Sequence, residues 1–477
     1  MISPAGNVTT VAGLAGVIGT ADGAGSIARF YAPTGIAVDA AGNLFVCDSV
    51  STTIRKITPA GVVSTIGGTA GVFGAAEGTG ADARFGLPAS IAVAPSGLLF
   101  VVDAYNNVVM QGVANTAPVI AVQPQSLTVT PGTRITLTVS ATGGGLSYQW
   151  NLGGAPIAGA TAGTYTFASP LIASSYTVTI SNSAGSVVSS PATVSISTTD
   201  EPGRIGNLAI RSQAGTGGQM LIVGLAVGGA GTSGNKPLLI RGVGPALGNF
   251  GLTGFLADPR LEVYSSATGA RVNENNDWGG DSQIAATGAA VGAFSLGASS
   301  SRDAALYLPA LARGSYTVQI SGAGASATGV ALAEIYDASA GDSFTVTTPR
   351  LVNVSARTQV GLGGDILIAG FYLGGRTART VLIRGIGPTL ASFGVPGALV
   401  DPRLELFRGA TRIGENDDWG GATALANTFS DVGAFPLART SRDAAILVTL
   451  PPGGYTAQVS GVNATTGVAL VEVYEVP

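Results

Sequence analysis

The chain has 477 residues, of which 72 are glycine and 10% are charged, and its formal net charge is −4. It contains no histidine, which excludes histidine-based triads, histidine general bases and histidine metal ligands. Cys47 is the only cysteine, so an intramolecular disulfide is excluded, and its apolar context LFVC predicts a small buried residue. The weak negative charge and the lack of a basic cluster argue against a nucleic-acid partner.

Short apolar runs bounded by Gly, Pro, Asn or Asp occur along the whole chain, whereas sustained helical periodicity is scarce. Val, Thr, Ser and Ala are abundant between the turn residues, which is typical of β-structure. No apolar run is long enough to span a bilayer. We therefore predict an all-β protein without a membrane span.

Residues 1–113 contain an internal repeat with a spacing of 55 residues. ARFYAP at Ala28–Pro33 recurs as ARFGLP at Ala83–Pro88, and GNLFVCD at Gly42–Asp48 recurs as GLLFVVD at Gly97–Asp103. The pattern PTGIAVDAAGNLFVCDS followed by TIRKITPAG resembles NHL repeats, whose blades are four-stranded antiparallel sheets. The resemblance implies a partial NHL-type β-propeller of two blades. Because propellers close with about four to eight blades, we expect either an incomplete N-terminus or a sheet completed in another way.

Residues 118–198 have the pattern of an immunoglobulin-like β-sandwich, with PGTRITLTVSATG followed by LSYQW and SSYTVTISNSAGS. Trp150 takes the place of the core tryptophan of strand C, and Tyr176 that of the tyrosine corner. Val139 and Val178 stand where the disulfide cysteines of such domains lie. The resemblance therefore predicts a core that packing alone stabilises, with Trp150 and Tyr176 inside it.

Residues 203–338 and 350–477 are a tandem duplication, here called copy one and copy two. LLIRGVGPALGNFG matches VLIRGIGPTLASFG, DPRLEVY matches DPRLELF, and SRDAALYLPAL matches SRDAAILVTLP. Both copies resemble a module found at the C-termini of secreted bacterial multidomain proteins, and their later halves resemble pre-peptidase C-terminal β-sandwiches. The predicted fold is thus a multidomain array of partial β-propeller, Ig-like β-sandwich and two tandem homologous β-sandwiches.

The two copies share an Asn- and Asp-rich turn, NENNDWGG in copy one and GENDDWGG in copy two. Calcium takes six to eight oxygen ligands, which such a turn supplies in part. The candidate calcium ligands are Asn276, Asp277, Asp303, Asp417, Asp418 and Asp443. Further oxygen donors that could complete the shells are Asn275, Asn416, Asp258, Glu262, Asp401 and Glu405.

Two other interpretations of this turn remain open. In the first, Asn and Asp side chains close an Asx-type turn while the tryptophan packs beneath it. In the second, carboxylates act as a catalytic pair, although Asp417 and Asp418 would point to opposite faces of a strand. Arg241 and Arg384 follow apolar strands in RGVGP and RGIGP, and we expect them to form ion pairs with the SRD or DPR motifs.

The resemblances imply a non-catalytic, secreted or cell-surface protein that presents its β-modules to a glycan, a matrix component or another protein. One alternative is a structural subunit that self-associates into a surface layer or filament through open sheet edges. A second is the accessory region of a larger secreted enzyme with its catalytic domain upstream. We expect no cofactor, with calcium as the single candidate.

Overall fold

The computed structural model describes residues 6–94, 97–113, 116–182, 184–199, 201–216, 220–324, 328–340 and 344–477. The fold is all-β and divided among several sheets, as the sequence predicted: the described residues form 34 β-strands and only two α-helices, each of nine residues. None of the helices in these ranges is long and apolar enough to cross a membrane.

The N-terminal region forms two antiparallel sheets that pack face to face. Sheet A has the order β1-β5-β4-β3-β2 and sheet B the order β6-β7-β8. Phe45 and Cys47 of sheet A pack against Ile91, Leu99 and Val101 of sheet B, so Cys47 is buried as predicted. The strands are β1 Gly23–Ala24, β2 Pro33–Val38, β3 Leu44–Asp48, β4 Thr53–Ile57, β5 Val62–Gly67, β6 Pro88–Val93, β7 Leu98–Asp103 and β8 Val108–Val113.

The next region is an Ig-like sandwich. One sheet has the order β10-β18-β16-β13-β14, with β17 also paired to β16, and the pairs β11–β15 and β9–β12 lie opposite it. The strands are β9 Val119–Val122, β10 Leu127–Val129, β11 Arg134–Thr138, β12 Ser140–Thr142, β13 Ser147–Leu152, β14 Ala155–Pro156, β15 Thr164–Ala168, β16 Ser174–Asn182, β17 Gly185–Val188 and β18 Ala192–Ile196.

The core of this sandwich has the predicted residues at its centre. Trp150 is fully buried, and its Nε1 donates a hydrogen bond to the Ala162 carbonyl at 2.9 Å. Tyr176 is buried in the same cluster, which also contains Val139 and Val178 at the positions expected for cysteines. Packing of apolar side chains therefore replaces the disulfide.

Copies one and two have the same succession of elements. Copy one consists of β19 Arg204–Ala214, β20 Leu221–Gly228, β21 Lys236–Val243, β22 Pro259–Ser265, β23 Arg271–Asn275, α1 Ser282–Ala290, β24 Ala304–Leu311, β25 Gly314–Gly322 and β26 Gly329–Asp337. Copy two consists of β27 Arg350–Val360, β28 Leu367–Gly374, β29 Arg379–Ile386, β30 Pro402–Arg408, β31 Thr411–Asn416, α2 Thr423–Asp431, β32 Ala444–Leu450, β33 Gly453–Gly461 and β34 Gly467–Glu475.

The two copies join edge to edge in both of their layers. Sheet C runs β24-β21-β26-β19-β28-β33-β30-β31, and sheet D runs β23-β22-β25-β20-β27-β34-β29-β32. Each copy gives four strands to each sheet, and equivalent strands such as β19 and β27 lie in different sheets, which produces an approximate two-fold symmetry. The pairing of Ile205 in β19 with Leu351 in β27 connects the two sheets at one point. A single apolar cluster between the sheets contains residues of both copies. The duplicated modules thus share one core.

The Ig-like sandwich lies against copy two. The backbone N–H of Thr136 in β11 donates to Thr449 Oγ1 in β32 at 2.7 Å, and Thr380 Oγ1 donates to the Arg134 carbonyl at 2.5 Å. Arg134 also forms an ion pair with Asp431 at 2.8 Å. Strand β32 is the outermost strand of sheet D, so the Ig-like sandwich covers an edge of that sheet.

Candidate functional site

The Asn- and Asp-rich turn follows strand β23 in copy one and β31 in copy two. Asn275 Nδ2 donates to the Asp277 carbonyl at 3.0 Å, and its Oδ1 accepts from the Ala305 N–H at 2.9 Å. Asn416 makes the same two bonds in copy two, to the Asp418 carbonyl and from the Ala445 N–H, each at 2.8 Å. This amide side chain closes the turn in both copies, as the Asx-turn interpretation expects.

The tryptophan of each turn is buried beneath it. Trp278 belongs to a small apolar cluster with Val243 and Leu247 on the outer face of sheet C. The two glycines after it have φ values of +66° and +75°, which an L side chain rarely adopts. Those of copy two have φ values of +68° and +65°. The path of the backbone therefore requires the two glycines of WGG.

The predicted ligands Asp303 and Asp443 are fully buried and already have hydrogen-bond donors. Asp303 Oδ1 accepts from the Gly244 N–H at 2.7 Å, and Asp443 Oδ1 accepts from the Gly387 N–H at 2.7 Å. Both carboxylates thus hold the RGVGP or RGIGP loop that crosses above them. A Cβ on Gly244 would lie 1.9 Å from the Leu256 carbonyl oxygen, which explains why this loop needs glycine.

The other predicted ligands are exposed. Asn276 and Asp277 in copy one, and Asp417 and Asp418 in copy two, lie on the outer side of the turn. Within the described ranges, no three Asp, Glu or Cys side chains are grouped so that they could hold a metal ion. Calcium binding at these turns stays a prediction.

The remaining carboxylates proposed for the shell have arginine partners. Asp258 pairs with Arg302 at 2.6 Å, and Asp401 pairs with Arg442 at 2.8 Å. Glu262 and Glu405 pair with arginines on the neighbouring hairpin strand in the same way. The DPR and SRD motifs therefore pair with each other.

The expected partners of Arg241 and Arg384 were wrong. Arg241 Nε donates to Glu334 Oε2 at 2.7 Å, because Arg241 and Glu334 lie directly opposite each other on β21 and β26. Tyr336 Oη donates to the other oxygen of Glu334 at 2.7 Å. Burial, together with the nearby Glu334 carboxylate, raises the pKa of the Tyr336 hydroxyl.

The same triad occurs in copy two as Arg384, Glu472 and Tyr474. Arg384 also donates to the Phe435 carbonyl at 2.7 Å and stacks over the Phe435 ring at 4.2 Å. Both arginines are buried and their donors point at protein acceptors, so the triads stabilise the fold and offer no site to a substrate. The repeated E-x-Y pairs of β26 and β34 were the sequence signal for them, since residues two apart share one face of a strand.

A cavity with a volume of about 850 Å³ lies where the two copies meet. Its walls come from the ends of β19 and β27, from the segments that follow them, and from the neighbouring strands of each copy. Ser212 and Thr358 hydrogen-bond to each other across the junction. We call this space the junction cavity.

Two equivalent arginines line the junction cavity, Arg211 of copy one and Arg357 of copy two. Each lies beside an isoleucine of the other copy, since Arg211 is opposite Ile368 and Arg357 is opposite Ile222. In the part of the chain that the structure describes, neither guanidinium has an ion pair or a hydrogen bond. Among the other wall residues only Asp365 is charged, and the rest are either uncharged polar residues or apolar residues. Two exposed arginines, which have no partner among the described residues, thus line the cavity.

No sequence pattern pointed to this cavity. Its walls are built from both copies, so it exists only because β19 pairs with β28 and β20 with β27. Arg211 and Arg357 stand at equivalent positions in LAIRSQ and VSARTQ. The available sequence signal for the cavity was an arginine on an exposed strand face, retained in both copies between apolar or small residues.

No protein-family model matches the chain, and no curated protein matches it significantly. Among solved structures it is similar to a protein of unknown function from Bacteroides thetaiotaomicron, with 28% identity over 23% of this chain and 28% of that chain and a TM-score of 0.22. An auxiliary nutrient binding protein from Bacteroides ovatus is 27% identical over 21% of this chain and 27% of that chain, with a TM-score of 0.20. A titin fragment of three Ig domains is 11% identical over 74% of this chain and 97% of that chain, with a TM-score of 0.16.

The chain spans less than a third of the length of the two Bacteroides proteins. At TM-scores this low, none of these likenesses supports a conclusion about ligand, partner or overall shape. The function is therefore argued from the residues of the chain itself.

Proposed function

We propose that the chain is a non-catalytic, secreted or cell-surface binding protein whose ligand occupies the junction cavity. The ligand class we propose is a glycan that carries carboxylate groups. The observation that carries this proposal is that Arg211 and Arg357, which have no partner among the described residues, line one cavity of about 850 Å³. Ligand sites of proteins usually have volumes of about 300–1,000 Å³.

The chemistry of the walls supports a carboxylated sugar. The planar guanidinium of arginine matches a carboxylate with two parallel hydrogen bonds. Gln213 and Gln359 add amide donors and acceptors, while Ile222 and Ile368 offer apolar surface to the C–H faces of sugar rings. Because the walls are pseudo-symmetric, a ligand with two acidic groups would meet one arginine with each.

A binding role fits the cavity better than catalysis. Asp365 is the single carboxylate among its described wall residues, whereas glycoside hydrolysis usually needs two. The location outside the cell rests on the resemblance of both copies to modules of secreted bacterial proteins. We propose no cofactor for ligand binding.

Titration calorimetry with an oligogalacturonate and with a neutral oligosaccharide of equal length tests this proposal. We expect binding of the acidic ligand alone, and a loss of about tenfold in affinity for Arg211→Gln or Arg357→Gln, since a charge-assisted hydrogen bond contributes about 1.5–3 kcal/mol. Arg302→Gln is the matched control, because this exposed arginine of copy one lies outside the cavity. Equal affinity for both ligands, or an unchanged affinity of the double variant, would contradict the proposal.

Calcium at the turns is tested separately. If the prediction holds, calcium alone gives a binding heat that Asp277→Ala and Asp418→Ala each reduce, because these exposed carboxylates supply the charge of the site. Asp82→Ala, which removes an exposed carboxylate far from both turns, serves as the control. The absence of any heat and of any shift in the melting temperature on adding calcium would end the calcium hypothesis.

A further inference from the structure

The contact between sheets A and B provides a template for a contact between two molecules. One side of sheet A, formed by Phe45, Cys47 and Ile54, packs against the side of sheet B that contains Ile91 and Leu99. We call the side of a sheet that contains Phe45, Cys47 and Ile54, or their equivalents, the trailing face. The side that contains Ile91 and Leu99, or their equivalents, is the leading face. Because the two sheets are repeats of one sequence, each has both faces, and the internal contact uses only one of each.

The trailing face of sheet B is unoccupied in the described structure. At the spacing of 55 residues, Val109 corresponds to Ile54, yet Val109 is 66% exposed whereas Ile54 is 3% exposed. Val102 corresponds to the buried Cys47 and is 41% exposed. Phe100, at the position of Phe45, is also exposed. These side chains form an apolar ridge on the surface.

The leading face of sheet A is partly open: Val46, at the position of Val101, is buried against Ala12 and Phe30, whereas the part of the face around Ile36 is exposed. Ile36 corresponds to Ile91 and is 63% exposed, whereas Ile91 is 6% exposed. A groove of about 300 Å³ lies on this face, with walls that include Phe30, Leu44 and Val11. Contiguous apolar surface of this kind usually marks an interaction site. The ridge corresponds to the trailing half of the internal contact, and the groove corresponds to the part of the leading half around Ile36.

We propose that the trailing face of sheet B docks into the leading face of sheet A of a second molecule of this chain. The internal contact shows that a trailing face covers a leading face. Each molecule also displays one unused trailing face, on sheet B, and one unused leading face, on sheet A. Such an interface is heterologous, so it joins molecules head to tail into rings or open chains. The proposal is independent of the junction cavity, and it places the contact on sheet faces instead of the open sheet edges.

The contact between molecules should be weaker than the internal one. Inside the chain, Thr34 Oγ1 donates to the Ala89 carbonyl at 2.9 Å, and Ser49 Oγ donates to the Pro88 carbonyl at 2.5 Å. The equivalent residues of sheet B are Ala89 and Ala104, which have no side-chain donor. Association should therefore be reversible and should depend on protein concentration.

Complementary blocked variants test the proposal. Val102→Asp puts a charge on the trailing face alone, and Ile36→Asp puts one on the leading face alone. Sedimentation velocity should show wild-type species that grow with concentration and each single variant as a monomer. An equimolar mixture of the two variants should give a 1:1 dimer, because each retains the face that the other lacks. Val188→Asp in the Ig-like sandwich, which changes a valine that is 57% exposed, should associate as the wild type does.

The thiol of Cys47 reports whether a variant has kept the internal contact. It is buried between sheets A and B, and burial raises its pKa to about 12, so it should react slowly with thiol reagents in every folded variant. A wild type that stays monomeric at all concentrations would overturn the proposal. So would a mixture of slowly reacting, folded variants that forms no 1:1 dimer.

Discussion

Copy one and copy two have the same buried Arg–Glu–Tyr triad but differ at one sheet edge, which the Ig-like sandwich covers in copy two and does not cover in copy one. In copy two, Thr449 and Thr380 hydrogen-bond to the backbone of strand β11. At the equivalent positions copy one has Pro309 and Pro237. Pro309 lies on β24, which is the outermost strand of sheet C and pairs only with β21 among the described strands.

The helix next to this edge also differs between the two copies. Asp431 of α2 forms the ion pair with Arg134, whereas the equivalent residue of α1 is Ala290. Proline lacks an N–H donor and is a usual means of protecting an exposed edge strand. The duplicated modules have thus diverged where one of them gained a neighbour, while the buried triads remained identical because their partners are internal.

The largest expected effect is on the shared interior. Arg384→Met leaves Glu472 buried without its cation, and we expect a loss of about 3–5 kcal/mol in the free energy of unfolding. Arg241→Met should cost as much, since its triad is the same. Urea unfolding followed by circular dichroism measures both.

One outcome would contradict a shared core, and one variant serves as the control. Because the copies share one core, either variant should shift one common transition, and a selective shift of half the amplitude would show two independent modules. Arg442→Met removes an exposed ion pair and should cost no more than about 1 kcal/mol.

The next largest loss of stability is expected at the edge of sheet D that the Ig-like sandwich covers. Thr449→Val removes the acceptor of the buried Thr136 N–H, and an unsatisfied buried donor costs about 1–3 kcal/mol. Thr449→Ser retains the hydroxyl and should restore most of the loss. Hydrogen exchange at the Thr136 amide measures the change, and equal protection in the valine and serine variants would show that the hydroxyl is not the acceptor.

A smaller effect should distinguish the two turn tryptophans. Trp419 Nε1 donates to the Ala438 carbonyl at 3.0 Å, whereas Trp278 Nε1 is buried without a partner among the described residues. We expect Trp419→Phe to lose about 1 kcal/mol more stability than Trp278→Phe, from the lost hydrogen bond. Thermal unfolding of both variants gives the difference, and equal losses would mean that the indole N–H contributes nothing.

The smallest effect is expected for the ion pair between Asp431 and Arg134, which connects copy two to the Ig-like sandwich. Asp431→Ala makes copy two resemble copy one at this position, and removal of a partly exposed ion pair should cost about 0.2–1 kcal/mol. Ser430→Ala, one position earlier on the same helix, should leave the stability unchanged. High salt should abolish the difference between Asp431→Ala and the wild type, because it screens surface charges.

Local patterns were enough to predict the all-β class, and the resemblance to Ig-like domains predicted Trp150 and Tyr176 as central residues of the core. The alternation of apolar residues around Trp150 and Tyr176 determines which side chains face inward. The repeat at 55 residues likewise located the equivalent strands of sheets A and B. These features depend on near neighbours in the sequence, which a single chain reveals.

Lateral strand pairing could not be predicted in this way. The backbone hydrogen bonds that join β19 to β28 have no side-chain signature, so the shared sheets and the junction cavity were missed. The partner of Arg241 was missed for the same reason, since Glu334 reaches it only through the pairing of β21 with β26. The conspicuous SRD and DPR motifs were nearer in sequence but pair with each other.

The joining of the copies through β19 and β20 has a consequence for synthesis on the ribosome. When copy one leaves the exit tunnel, the outer edges of these two strands have no hydrogen-bond partners, because β28 and β27 are translated later. Unpaired strand edges are sites of aggregation, and pairing between distant segments is slow. Copy one therefore exposes two open strand edges to other polypeptides until copy two emerges.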